Sequence, residues 1–142
     1  MPRRRSASRR RRGTIGQIGL GIMGGAFARH LLAAGFDVVG YDVAPAAIRA
    51  LTKARGQAAR SCADVAARTR ILITSLPSPA AMEEAFFGRQ GIAAGARPGT
   101  IVIEASTMTL ELKESLRRRL ARKRVVLLDC PISGTGAQAA AK

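Results

Sequence analysis

Three glycines and one carboxylate are the residues whose types and spacing could do chemistry in this chain. Gly19, Gly21 and Gly24 fall in the run Gly19-Leu20-Gly21-Ile22-Met23-Gly24, and Asp42 follows 23 residues after the first of them. The run suits a diphosphate. Gly19 lets the chain turn sharply, Gly21 has no side chain to keep the backbone away from a pyrophosphate, and Gly24 lets a helix pack closely on the preceding strand. A helix beginning near Ile22 would aim its free N–H groups and the positive end of its dipole at that anion. An acid about 20 residues downstream is where a ribose 2′-OH is bound. A carboxylate there accepts from a diol and repels a 2′-phosphate. Val43, Ala44 and Pro45 come next, so no Arg stands beside it to hold a phosphate. The spacing predicts NAD over NADP. Glycines also fill ordinary turns, and Asp42 could cap a helix over 44–54; both roles can hold together.

Those residues act only if a strand, a helix and a second strand position them, and the pattern supplies these. Apolar runs at 14–18 and 37–41 read as strands. Between them 23–34 reads as a helix closed by Gly35. The alternation continues, with a helix from Pro45 to about residue 54, a short strand at 57–59, and a small helix at 63–67 capped by Ser61 with Asp64 in its first turn. A strand at 70–75 leads through Pro77 and Pro79 into a helix at 80–87. An irregular connection at 88–99 precedes a strand at 100–104. A basic helix follows at 110–123, with Leu112, Leu116 and Leu120 as its buried stripe and its Arg and Lys as the solvated face. Val125 to residue 128 is a last strand, and 129–142 is a loop with room for a helix start. Glu83 and Glu84 read as solvated. Strand–helix alternation implies an α/β fold, a Rossmann-type doubly wound parallel sheet covered on both faces. Ligands of such sheets bind outside the carboxyl ends of the strands. Four loops qualify: 19–24, 76–78, 105–108 and 131–136. They bring the hydroxyls of Ser106, Thr107 and Ser133 to one edge, where turn or cap roles compete with ligand contact.

Composition narrows the class. The 142 residues suffice for one domain with a real core, and 47% are hydrophobic. No apolar run approaches the ~20 residues of a membrane span. Trp is absent and Tyr occurs once, which leaves no stacking platform for single-stranded nucleic acid. The net charge is +15, with seven Arg in the first dozen residues. Residues 1–13 read as an Arg-rich disordered tail, or as an extension from an upstream start codon. A nucleic-acid-binding arm on a non-catalytic nucleotide-binding module is the competing reading. No apolar stretch of a secretory signal follows the charges, although an Arg-rich, acid-free start shares its composition with organelle transit peptides. Cys62 and Cys130 are far apart and form no C-x-x-C, which argues against zinc and a disulfide scaffold and for a reducing cytoplasm. His30, the single histidine, reads as an exposed surface residue rather than a catalytic base.

Taken together, IGQIGLGIMG with GYD, SLPSPAAMEEAFFG, PGTIVIEAST and LLDCPISGTGAQA, in that order from Thr14 onward, resemble the amino-terminal half of the β-hydroxyacid dehydrogenases. The group includes the 3-hydroxyisobutyrate and 6-phosphogluconate dehydrogenases. The resemblance implies a cofactor site at Gly19, Leu20, Gly21, Ile22, Met23 and Gly24, with Asp42 on the adenosine ribose. It implies that Leu76 and Pro77 flank the cofactor, that Thr107 lies near the nicotinamide, and that Ser133 and Gly134 touch the carboxylate of a 3-hydroxy acid. Two departures stand out. Thr135 replaces a usual second glycine, and Met108-Thr109-Leu110 lacks a usual proline. Enzymes of this kind take their general acid/base, a lysine, from a helix beyond the nucleotide domain, complete the site with a helical second domain, and often pair through it. Lys142 stands outside the motif that carries that lysine. The expectation is a nucleotide domain over 14–142, incomplete at its carboxyl end, with no catalytic residue of its own and no membrane partner.

Overall fold

The computed structural model describes residues 11–141. Six parallel strands lie in the order β3-β2-β1-β4-β5-β6. They are β1 (Thr14–Ile18), β2 (Asp37–Tyr41), β3 (Gln57–Ala58), β4 (Ile71–Thr74), β5 (Ile101–Glu104) and β6 (Val126–Asp129). The helices are α1 (Ile22–Ala33), α2 (Pro45–Lys53), α3 (Cys62–Arg68), α4 (Pro79–Phe87), α5 (Ile92–Gly95), α6 (Leu110–Ala121) and α7 (Gly136–Ala141). The chain steps outward from β1 to β3, then returns to β4 on the other side of β1. That reversal is the topological switch point at which open α/β sheets bind ligands. The doubly wound parallel sheet expected from the alternation is the fold.

Two apolar cores explain why the sheet is covered on both faces. The larger joins Ile18, Leu72 and Val102 of the strands to Val65, Met82, Phe86, Ile92, Leu116 and Leu120 of α3 to α6. The smaller joins Leu20, Val38, Ala28 and Leu51 around α1 and α2. Several local signals behave as their chemistry dictates. Ser61 Oγ accepts from Asp64 N at 3.1 Å at the start of α3. α1 closes with Gly35 N donating to Leu32 O and Phe36 N to Leu31 O, the double bond of a Schellman end. α2 and α6 close the same way, but on Arg55 (φ 72°) and Arg124 (φ 57°) in the left-handed region where glycine is usual.

The structure corrects the sequence reading in three places. The connection read as irregular contains α5, because Ile92 and Ala93 bury their side chains and pull a helical turn together. The helix start for which 129–142 left room is α7, against α1, in line with the sequence reading. His30 is half-buried rather than exposed, its Nε2 lying 2.7 Å from Ala139 O of α7. Lys113 is not on a solvated face: it is 4% exposed. It follows Leu112 and shares the buried stripe with Leu116 and Leu120, at helical spacing of three and seven. Glu83 and Glu84 are exposed as expected, Glu83 in a two-bond pair with Arg119. The tail reading of 1–13, and the role denied to Lys142, fall largely outside the described residues. Of the tail's last residues, Arg11 pairs with Asp37 and Arg12 N donates to Gly35 O at 3.1 Å. Among the described residues no helix is long and apolar enough to cross a membrane.

Candidate dinucleotide site

The glycine turn is built by close packing. Gly19 has φ +84°, and a Cβ on it would sit 1.9 Å from Ser75 O, beyond the end of β4. Gly24, in the first turn of α1, would place a Cβ 1.8 Å from Gly19 O. Turn, helix and neighbouring strand therefore meet backbone to backbone, which only absent side chains permit. Gln17, fully buried in β1, reinforces the turn by donating Nε2–H to Gly19 O at 3.0 Å. Gly21 is the opposite case: a Cβ there would meet nothing within 4 Å. Its missing side chain leaves open space rather than relieving a clash. The first intrahelical bond runs from Gly25 N to Gly21 O at 2.7 Å, so the N–H groups of Ile22, Met23 and Gly24 begin the helix as free donors beside that space.

Asp42 faces the turn from the end of β2. Its Oδ2 accepts from Leu20 N at 2.7 Å and its Oδ1 from Ala44 N at 2.8 Å. The N-cap position of α2 belongs to Ala44, with no side-chain cap, so Asp42 supports the helix entry without being its cap residue. Each carboxylate oxygen keeps further acceptor capacity. A ribose diol could use it without breaking either bond.

Between these groups and α4 lies a cleft of about 560 Å³, within the usual size of a cofactor site. It spans the switch point. Gly19, Gly21, Ile22, Met23, Gly24 and Asp42 line one side, and Leu76 and Pro77 the other. Leu20 does not line it: its side chain is 7% exposed in the α1/α2 core, and it serves the site through the N–H held by Asp42. Thr107, Ser133 and Gly134 are exposed and stand outside the cleft lining. Of the hydroxyls of Ser106, Thr107 and Ser133, that of Ser106 reaches a cleft residue, its Oγ accepting from Leu76 N at 2.8 Å.

The sequence reading missed Ser61, Cys62 and Glu84 on the lining. The first two follow β3, a fifth carboxyl-end loop that a two-residue strand makes easy to overlook. Burial, opposed by a backbone hydrogen bond and helped by smaller contributions from the Glu84 and Asp42 charges, pushes the Cys62 thiol up to about 11. It is a neutral wall rather than a nucleophile. Among the described residues no group of three or more His, Cys, Asp or Glu stands together to hold a metal.

A diphosphate fits this arrangement: free helix N–H groups, space where a Cβ would intrude, and a carboxylate across the turn. The profile of the family described as the NAD binding domain of 6-phosphogluconate dehydrogenase matches residues 14–142. The chain belongs to this family. As a member it is similar to the L-threonate dehydrogenase of Cupriavidus necator, 38% identical over 126 residues, 89% of this chain and 42% of that protein. It superposes on the Mycobacterium tuberculosis 3-hydroxyisobutyrate dehydrogenase solved with L-serine, with a TM-score of 0.83, 30% identity, and coverage of 90% of this chain and 43% of that one. A third likeness is Psf3, solved with NADP⁺ and 2-OPP (TM-score 0.84, 27% identity, 89% and 45% covered). This member spans less than half the length of each. What it shares with the two dehydrogenases is their NAD(P)-binding domain.

Proposed function

We propose that this domain binds NAD across the cleft and presents the nicotinamide to the carbinol carbon of a 3-hydroxy acid, as part of a dehydrogenase similar to 3-hydroxyisobutyrate dehydrogenase. The open space above Gly21, with unused α1 N–H groups beside it and Asp42 opposite, carries the reading. Ile22, Met23 and Gly24 donate to the diphosphate, Gly19 and Gly21 admit it, and Leu20 fixes Asp42 for the adenosine ribose. NAD is favoured over NADP because a 2′-phosphate would meet the Asp42 carboxylate. Leu76 and Pro77 wall the far half. Thr107 stands near the nicotinamide, and Ser133 and Gly134 hold the substrate carboxylate. When bound, nicotinamide supplies the hydride acceptor or donor; the chain's residues bind, orient and exclude water.

Turnover also needs a group to take the hydroxyl proton. We assign none of the described cleft residues to it, so the chain alone binds cofactor without turnover. We place the protein in the cytoplasm and expect it to pair with a second copy only through a helical second domain of the kind such dehydrogenases carry. Calorimetric titration of the chain tests the reading. NAD⁺ should bind roughly tenfold or more tightly than NADP⁺, with no hydride transfer to or from 3-hydroxy acids. Binding of neither nucleotide overturns the reading.

A further inference from the structure

A second polar cluster, buried except for Asp129, lies at the carboxyl ends of β4, β5 and β6. Its centre is the ammonium of Lys113. Nζ donates to Ser106 O at 2.6 Å and to Asp129 Oδ1 at 2.5 Å. It also lies 2.7 Å from Glu104 Oε2, a charge contact without hydrogen-bond angles. Glu104 is fully buried. A buried charge without partners is costly, and these partners come from β5, β6 and the loop after β5. The ammonium is therefore satisfied only when all three hold one register.

The other contacts of the cluster lead into the cleft. Glu104 Oε1 accepts from Ser106 N at 2.9 Å and from Thr74 Oγ1 at 3.4 Å. Ser106 Oγ then accepts from Leu76 N at 2.8 Å. On the far side Cys130 N donates to Glu104 O at 2.9 Å and Ile132 N to Ala105 O at 3.2 Å, rooting the segment that carries Ser133. The loops at 76–78, 105–108 and 130–134 thus share one buried cation. An apolar side chain beside Leu116 and Leu120 would serve stability at least as well, because buried ion pairs seldom outperform well-packed hydrophobes. What the lysine adds is a fixed relative position of three loops.

We propose that Lys113 is a positioning residue for the nicotinamide half of the dinucleotide: through Glu104 and Ser106 it sets the wall formed by Leu76 and Pro77 and the loop that carries Thr107. The proposal rests on the reading that the cleft binds a dinucleotide with its adenosine half at Asp42. By that reading the other half lies across the switch point, over β4 and β5.

The test compares NAD⁺ with ADP-ribose, which carries the adenosine half and diphosphate but no nicotinamide. In Lys113→Met, NAD⁺ affinity should fall roughly tenfold while ADP-ribose affinity stays within about twofold. Equal weakening of both ligands, the result of general destabilisation, overturns the proposal; so does no change in either. Should Lys113→Met fail to fold, Ser106→Ala decides, since it strands no buried charge and cuts only the link to Leu76. Selective loss of NAD⁺ affinity in it supports the proposal, and unchanged or unselective binding overturns it. Wild-type chain that binds neither ligand overturns the cofactor reading and this proposal with it. Wild-type binding of both, with unselective variants, overturns this proposal alone.

Discussion

Gly21 separates the cofactor site from the fold more cleanly than any other position. Its backbone (φ −67°, ψ −156°) is open to alanine, and the added methyl would touch no atom within 4 Å beyond its chain neighbours. Removing a glycine stabilises by about 0.4–1 kcal/mol through the unfolded state, and exchanging glycine for alanine at a helix N-cap costs a similar amount, about 0.5–1 kcal/mol. Gly21→Ala should therefore melt within a few degrees of wild type. The methyl instead fills the space argued to admit the diphosphate. Displacing the anion from even one helix N–H forfeits a charged hydrogen bond of about 1.5–3 kcal/mol, a roughly 10- to 150-fold loss of affinity. Titration of NADH fluorescence beside a thermal melt reads both quantities. Gly24→Ala and Gly19→Ala are the contrasting cases. Their methyls would lie 1.8 Å from Gly19 O and 1.9 Å from Ser75 O, so each should destabilise by about 2 kcal/mol or more. A Gly21→Ala protein that binds NADH as wild type does would refute the placement of the diphosphate.

Further outcomes follow from single sites. Asp42→Ala should weaken NAD⁺ by about tenfold and narrow the gap to NADP⁺, read by calorimetry; an unchanged nucleotide ratio removes Asp42 from the ribose. Arg55→Gly and Arg124→Gly should each raise stability by about 0.5–1 kcal/mol in urea unfolding, because both residues hold the left-handed conformation that glycine adopts without strain. Cys62 titrates higher in the fold, about 11, than the ordinary 9.0. Its contribution is whole below pH 9 and lost as pH rises toward 11, on the order of 2 kcal/mol by linkage; Cys62→Ser should flatten that part of the stability profile. Lys113 adds a later loss of the same sign. Burial alone would lower its pKa, but the close carboxylates of Asp129 and Glu104, the first hydrogen-bonded to it, outweigh that and raise it above 10.5. A thiol reagent should label exposed Cys130 quickly and Cys62 slowly, with NAD⁺ slowing Cys62 further.

The glycine run, the acid of β2 and the alternation of strand and helix were legible in the chain because each is a local requirement. A sharp turn needs Gly19, a close helix needs Gly24, and apolar period distinguishes strand from helix within a few residues. Nothing local marks Gln17, Lys113 or Cys62 as part of the site. Lys113 sits in a helix rich in Arg and Lys, where charge ordinarily means solvent, and its partners Glu104 and Asp129 are strand ends distant in sequence. Only the parallel register of β4, β5 and β6 sets those carboxylates around one ammonium. Likewise the sequence by itself settled that a sharp glycine turn follows the first strand and which acid faces it. The depth of the cleft, the turning of Leu20 into the core and the tie from Ser106 to Leu76 were decided by tertiary packing, since they depend on which backbones meet once the sheet has closed.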